Sequence, residues 1–134
     1  MFEMIFQEIS SGLPEARQFW RILIRLVFAM VAGAVVGIQR ERSGKPAGIR
    51  THMLVALGAA LFVMGPMEVG MMGDDLSRVI QGLITGIGFL GAGAILKQQD
   101  TQQIHGLTTA AGLWLTASVG IAVGMGPEIS GILA

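Results

Sequence analysis

Residues 79–96 read VIQGLITGIGFLGAGAIL, a stretch of 18 residues without a charged side chain. About 20 mostly apolar residues in a helix are long enough to cross the hydrocarbon core of a bilayer. Five of the 18 are glycines, which is unusual for a helix in water. The stretch therefore predicts a glycine-rich helix in a membrane.

Three of these glycines, Gly86, Gly88 and Gly91, also spell G-x-G-x-x-G, the pattern of dinucleotide-binding folds. In those folds the pattern follows a strand and begins a helix, and an acidic residue lies about 20 positions later. Here apolar residues lie on both sides, and no acid lies between Asp100 and Glu128. We therefore expect no nucleotide cofactor, and no other cofactor is indicated.

The glycines are better interpreted as helix-packing positions, because small residues spaced by four let two helix backbones approach closely. Gly82 and Gly86 have this spacing, and Gly33 and Gly37 repeat it in an earlier apolar stretch. The predicted helix-packing residues are Gly33, Gly37, Gly82, Gly86, Gly88, Gly91 and Gly93. The alternative is an unwound or thinned helix that lines a polar path.

The composition agrees with a membrane protein. Of 134 residues, 52% are hydrophobic and 13% are charged, whereas soluble domains carry about 25% charged residues. The net charge is zero, so nothing indicates a nucleic-acid partner, and the absence of cysteine excludes disulfides and thiolate metal sites. We expect the lipid bilayer to surround a single domain, 1–134.

Four apolar spans are predicted, at 19–38, 53–72, 79–96 and 107–125, followed by an apolar run at 129–134. The predicted fold class is an all-α polytopic membrane protein, a bundle of four transmembrane helices plus the start of a truncated fifth. No C-terminal cytoplasmic domain is expected. Thr51 and Asp75 are predicted to cap the second and third helices with their side chains.

Lys and Arg predict the orientation, because short cytoplasmic loops retain an excess of them. Loops 40–50 and 97–106 hold five cations: Arg40, Arg42, Lys45, Arg50 and Lys97. The other side offers Arg17, Arg21 and Arg78. Both loops are therefore predicted to be cytoplasmic, with the N-terminus outside.

Arg78 is a candidate functional residue, because a cation near the start of a helix needs a compensating anion. Asp74 or Asp75 could supply it in a local pair. Alternatively, these residues and Glu68 could form an outward-facing entry for an ion, since hard divalent cations prefer oxygen ligands. Whether a metal binds is left open.

Arginine within a span is costly in a membrane, which makes Arg25 a second candidate. We expect it either to extend outward or to pair with Glu68. At the cytoplasmic side, Glu41, Arg42 and Arg50 belong to a charged cluster that sets the topology and contacts lipid phosphates or a partner protein. His52 and His105 are interpreted as hydrogen-bonding groups at helix ends, and no Ser, His and acid arrangement indicates catalysis.

Three stretches resemble the membrane domain of the MgtC/SapB family: GIQRERSGKPAGIRTHMLVALGAALF at 37–62, DLSRVIQGLITGIGFLGAGAIL at 75–96 and HGLTTAAGLWLTASVGIAVG at 105–124. They cover about half of the chain in the family's order and spacing. The resemblance implies a bacterial inner-membrane protein with five spans and an outside N-terminus. The sequence departs from the family pattern at Gln39, Leu76 and His105.

The resemblance also implies a function: adaptation to low magnesium and acid, virulence, and inhibition of the F-type ATP synthase. We therefore expect a non-enzymatic membrane regulator that forms a homo-oligomer, such as a dimer, or binds a membrane-protein partner such as that synthase. The alternative is a transporter or channel for Mg²⁺ or another small solute. It would need a continuous polar path, for which the third span offers only Gln81 and Thr85.

Overall fold

The computed structural model describes residues 1–12, 15–97 and 103–126. In chain order its elements are α1 Phe2–Ser11, α2 Ala16–Arg42, α3 Ile49–Glu68, α4 Asp74–Ala94, β1 Leu96–Lys97, β2 Ile104–His105 and α5 Leu107–Met125. The helices α2 to α5 are each long and apolar enough to cross a membrane. The predicted all-α polytopic membrane fold is confirmed, whereas the apolar run at 129–134 lies outside the described residues.

The first predicted loop is shorter than expected, because α2 continues to Arg42 and α3 already begins at Ile49. Arg40, Glu41 and Arg42 therefore lie on α2, Arg50 lies on α3, and the loop itself is 43–48. The sequence stretch QRER consists of good helix formers, so the helix has no reason to end where its apolar residues end.

Both predicted side-chain caps are wrong. The N-cap of α3 is Gly48 and that of α4 is Gly73, without a side-chain capping bond in either case. Thr51 is the third residue of α3, and Asp75 is the second residue of α4. An acidic side chain in the first turn is favourable without a capping bond, because the amino end of a helix carries partial positive charge.

The second predicted span extends too far. α3 ends at Glu68 rather than at residue 72, and a turn follows in which the amide of Met71 donates to the carbonyl oxygen of Pro66. Gly70 has a φ of +84°, which takes the chain out of the helix. The fourth span coincides with α5, Leu107–Met125.

α3 and α5 lie at the centre of the bundle, with α2 on one side and α4 on the other. The buried residues there are mostly small: Ala56, Ala59, Ala60, Val63 and Ala117. Small side chains let the helix backbones come close, which is how helices gain packing energy where lipid removes the hydrophobic driving force.

Large apolar side chains point away from the bundle instead. Phe28 on α2, Phe62 on α3 and Phe89 on α4 are all exposed, Phe89 to 82%. In water such a surface would be an aggregation liability. In a membrane it is the surface that the lipid tails cover.

A short antiparallel strand pair connects α4 to α5, with Leu96 opposite His105 and Lys97 opposite Ile104. Gly106, the N-cap of α5, has a φ of +93° and lies directly against the carbonyl group of Ala94. A side chain at this position would be strained by the backbone angle and would also overlap α4.

Candidate functional site

Arg25 connects α2 to the carboxyl end of α5. Its Nη1 donates a hydrogen bond to the carbonyl oxygen of Gly124 at 3.3 Å. The guanidinium group also lies against Gly126, where it occupies the space that a Cβ would need. Helix carboxyl ends carry partial negative charge, so a cation is favourable there. Arg25 thus reaches the carboxyl end of α5, and it does not form the pair with Glu68 that was one of the two expectations.

Glu68, at the end of α3, accepts a hydrogen bond from Nε2 of Gln18 on α2. The predicted ion-entry residues Asp74, Asp75 and Arg78 are exposed in the first two turns of α4. Within the residues that the structure describes, no three His, Cys, Asp or Glu side chains lie close enough together to hold a metal ion. A metal site at this end is therefore only a hypothesis from the sequence.

Glu41 bridges α2 and α3 at the opposite end of the bundle. Its Oε2 accepts a hydrogen bond of 2.9 Å from the amide of Ile49, the first residue of α3. A Cβ at Gly48 would lie 2.8 Å from the same oxygen, so a glycine there makes room for the carboxylate. Glu41 therefore satisfies an amide that the helix itself leaves unpaired.

Arg40 makes a second connection from α2 to α5. Its Nη2 donates to Oγ1 of Thr109, a side chain that is only 3% exposed. The Nε of Arg40 is buried and has no hydrogen-bond partner among the described residues. Sequence reasoning placed Arg40 in a loop, whereas it lies on α2. By contrast, Arg42 and Arg50 are exposed.

His52 is completely buried between helices. Its Nδ1 lies 3.0 Å from the carbonyl oxygen of Gly48, one turn earlier in the chain, whereas its Nε2 has no partner in the part of the chain that is described. Gly112 on α5 lies beside Nε2. The buried hydroxyl of Thr116 donates to the carbonyl oxygen of Gly112 at 2.8 Å. Hence His52 bonds at a helix end, as the sequence suggested, but inside the bundle.

Gly33 and Gly37 lie where α2 presses on α3. A Cβ at Gly33 would be 2.5 Å from the carbonyl oxygen of His52, and one at Gly37 would be 2.5 Å from Cα of Ile49. Both glycines are buried. On α4, Gly91 is buried, and a Cβ there would lie 3.6 Å from Cβ of Ala110, an ordinary contact distance.

The other predicted packing glycines face away from the neighbouring helices of the bundle. Gly82, Gly86, Gly88 and Gly93 would meet no atom within 4 Å if a Cβ were added. Gly82 and Gly86 lie in an open apolar depression of about 430 Å³, here called the α4 groove and lined by Phe62, Val79, Gly82, Leu83, Gly86, Ile87 and Leu90. Their small size is not required by packing within the described residues.

Two packing glycines were missed by the sequence analysis. A Cβ at Gly120 would lie 2.8 Å from Cβ of Ala59, and one at Gly124 would lie 2.8 Å from the carbonyl oxygen of Ala60. These residues bring α5 against α3 at the centre of the bundle. Their spacing of four, in GIAVG at 120–124, is the same signal that marked Gly33 and Gly37.

Comparison with known proteins assigns the family. Residues 26–134 match the family model described as MgtC family. The chain belongs to the MgtC family. It is 48% identical over 115 residues to protein SrpB of Synechococcus elongatus, with 76% of this chain and 62% of that protein covered.

Two further MgtC family relatives come from enteric bacteria. The chain is 41% identical over 117 residues to YhiD of Escherichia coli K12, with 82% of this chain and 54% of YhiD covered. It is 39% identical over 114 residues to protein MgtC of Salmonella typhimurium, with 85% of this chain and 48% of that protein covered. The chain thus spans about half to three fifths of the length of these curated relatives. No solved structure matches.

In this MgtC family chain, the polar groups that sequence reasoning proposed as functional fall into two kinds. Arg25, Arg40 and Glu41 make hydrogen bonds between helices of the bundle. Arg42, Arg50, Asp74, Asp75 and Arg78 are exposed near helix ends. The first kind connects membrane helices to one another, and Glu41 among them is exposed, as is every residue of the second kind.

Proposed function

We propose that this chain is a non-enzymatic regulatory protein of the MgtC type in the bacterial inner membrane, and that it acts by binding another membrane protein through the α4 groove. One observation carries the proposal. Gly82 and Gly86 have open space around them, whereas Gly33, Gly37, Gly120 and Gly124, at the same spacing, all touch a neighbouring helix.

A glycine pair on a lipid-facing helix surface is suited to one kind of contact. Helices associate in membranes through close packing of backbones at small residues. Phe62 and Leu90 border the α4 groove and would flank an incoming helix. The partner is thus a transmembrane helix of another protein. The family resemblance suggests the membrane part of the F-type ATP synthase, and a second copy of this chain is the other candidate.

The same proposal includes an orientation. We place the loop 43–48 and the segment 97–106 in the cytoplasm and the N-terminus outside. Arg40, Arg42, Lys45 and Arg50 lie around the first of these loops, which supports this arrangement through the positive-inside rule.

Proton pumping provides the functional test. The chain is expressed in a bacterium, inverted inner-membrane vesicles are prepared, and ATP-driven acidification is followed by quenching of a fluorescent dye. We expect the chain to lower the rate and Gly86→Leu to restore it. Gly88→Leu is the matched control, because Gly88 is also an open glycine of α4 but does not line the α4 groove.

Crosslinking identifies the partner. A photo-crosslinker at Phe62 or Leu90 should capture a subunit of the synthase, and Gly86→Leu should remove that product. If only a homodimer forms, the partner is a second copy. If both leucine variants behave like the original chain in pumping and crosslinking, the α4 groove is not an interface.

A transporter is the second candidate, since the relative from Escherichia coli K12 is named "Putative magnesium transporter YhiD". Within the described residues, Gly120 and Gly124 pack closely against the alanines of α3, so this part of the contact between α3 and α5 has no room for a polar path. Liposomes containing a Mg²⁺-sensitive dye test the idea. Flux that is abolished by combining Asp75→Asn with Arg78→Ala would replace the regulatory proposal.

A further inference from the structure

A second groove runs along the exposed surface of α2 and α3. Unlike the α4 groove, it is lined by charged as well as apolar residues. It is open, has a volume of about 890 Å³ and is here called the α2–α3 groove. At one end it is lined by Lys45 and Arg50, and along its length by Met53, Leu54 and Leu57. It therefore combines a cationic end with an apolar wall.

The charges at the cationic end favour an anion. Lys45 and Arg50 contribute two positive charges, and Glu41 is the acidic residue that lines the groove. Its carboxylate is directed at the amide of Ile49, so its oxygen is engaged at the start of α3. The partial positive charge of that helix end partly offsets the charge of Glu41, so two cations against one carboxylate leave this end of the groove with a net positive charge. A negatively charged group is thus attracted to this end of the groove.

The apolar wall restricts which anion fits. Leu54 is 62% exposed and lies on a helix that is apolar and long enough to cross a membrane. A soluble anion would gain nothing from such a surface. A molecule that carries a hydrocarbon chain next to its negative charge would cover both parts of the groove, and in a bilayer that molecule is a phospholipid.

We propose that the α2–α3 groove is a binding site for an anionic phospholipid. The headgroup phosphate lies between the side chains of Lys45 and Arg50, and one acyl chain lies along Met53, Leu54 and Leu57. This site is separate from the α4 groove and does not depend on the proposed regulatory role. It also differs from general attraction between a basic loop and a membrane surface, because only cations that line the groove contribute to it.

Arg42 allows a binding site in the groove to be distinguished from general attraction between the basic loop and the membrane surface. It is an exposed cation at the same end of the bundle, at the last residue of α2, and it does not line the groove. Arg42→Gln and Arg50→Gln remove the same charge from the same region. A general electrostatic attraction responds to both changes alike, whereas a site in the groove responds only to the second.

The experiment measures lipid binding by native mass spectrometry of the purified full chain released from detergent. Phosphatidylglycerol is compared with phosphatidylcholine of the same chain length. We expect preferential binding of phosphatidylglycerol, weakened about fivefold by Arg50→Gln or Lys45→Gln and less than twofold by Arg42→Gln. Equal losses for Arg42→Gln and Arg50→Gln, or no preference between the two lipids, would overturn the proposal.

Two further arms separate a lipid from a soluble phosphate. Glycerol phosphate at millimolar concentration should not displace phosphatidylglycerol, and phosphatidylglycerol with six-carbon chains should bind at least tenfold more weakly than the long-chain lipid. Displacement by glycerol phosphate would show a site for a soluble anion instead. Circular dichroism checks that each variant is folded, and because Lys45 and Arg50 are both exposed, either one serves if the other fails.

Discussion

Arg25 on α2 donates a hydrogen bond to the carbonyl oxygen of Gly124, one residue before the end of α5. An arginine at membrane depth is costly unless the protein compensates for its charge. Here the compensation comes from the carbonyl groups at the end of α5, which carry partial negative charge and lack partners within their own helix. One side chain therefore satisfies the end of one helix and fixes it against another.

Replacement of Arg25 by Gln should destabilise the bundle by about 1–2 kcal/mol, because both the charge and the hydrogen bond to Gly124 are weakened. The measurement is unfolding of the purified chain in mixed micelles with an increasing fraction of SDS. Arg21→Gln is the matched control, since Arg21 is one turn away on α2 and exposed. Equal destabilisation by both changes would mean that Arg25 acts only through net charge.

A side chain at Gly37 should prevent close packing of α2 on α3. Because a Cβ there would lie 2.5 Å from Cα of Ile49, Gly37→Val should cost more than about 3 kcal/mol or abolish folding. Gly58→Val on α3 is the control, because Gly58 has open space. Size-exclusion chromatography and SDS unfolding report the outcome, and a folded Gly37→Val chain of unchanged stability would contradict the described packing.

Glu41 should stabilise α3 from outside that helix. Glu41→Ala removes the acceptor for the amide of Ile49 and should cost about 1 kcal/mol in the SDS titration. Glu41→Gln keeps an oxygen acceptor but loses the charge, so its cost should be smaller. Glu15→Ala is a control at an exposed acid of the other end. If Glu41→Ala has no effect, the amide of Ile49 is satisfied by water.

His52 should be replaceable by a side chain of similar size but not by a small one. Because its Nε2 has no described partner, His52→Leu loses only the bond to Gly48 and should change stability by less than about 1 kcal/mol. His52→Ala leaves a cavity and should cost about 2–4 kcal/mol. If the leucine variant is as unstable as the alanine variant, Nε2 makes a hydrogen bond in the folded protein.

The four membrane-spanning helices of the described residues could be predicted from the sequence in number and order, because apolar stretches of bilayer length are a strong signal. Their ends were less predictable. Polar residues such as those of QRER at 39–42 continue α2 beyond its apolar part. Hydropathy reports where a chain meets lipid, whereas a helix ends where its backbone hydrogen bonds end.

The site was predicted less well than the fold, and Gly86 shows why. It has the same spacing from Gly82 as Gly37 has from Gly33, yet Gly37 is pressed against α3 and Gly86 faces open space. A spacing rule identifies a helix face suited to close approach, but not the neighbour that comes to it. Similarly, nothing in the local sequence around Arg25 indicates that it reaches Gly124, which is 99 positions later.

Arg25 and Arg40 both connect α2 to α5, one through Gly124 and the other through Thr109. The two arginines are fifteen residues apart on α2, and their two acceptors are fifteen residues apart on α5. Because both helices rise by the same 1.5 Å per residue, both intervals measure about 22 Å. The two helices run in opposite directions, and the spacing of the arginines on α2 matches the spacing of their acceptors on α5. Insertion of a single residue between Arg25 and Arg40, or between Thr109 and Gly124, would leave one arginine without its acceptor.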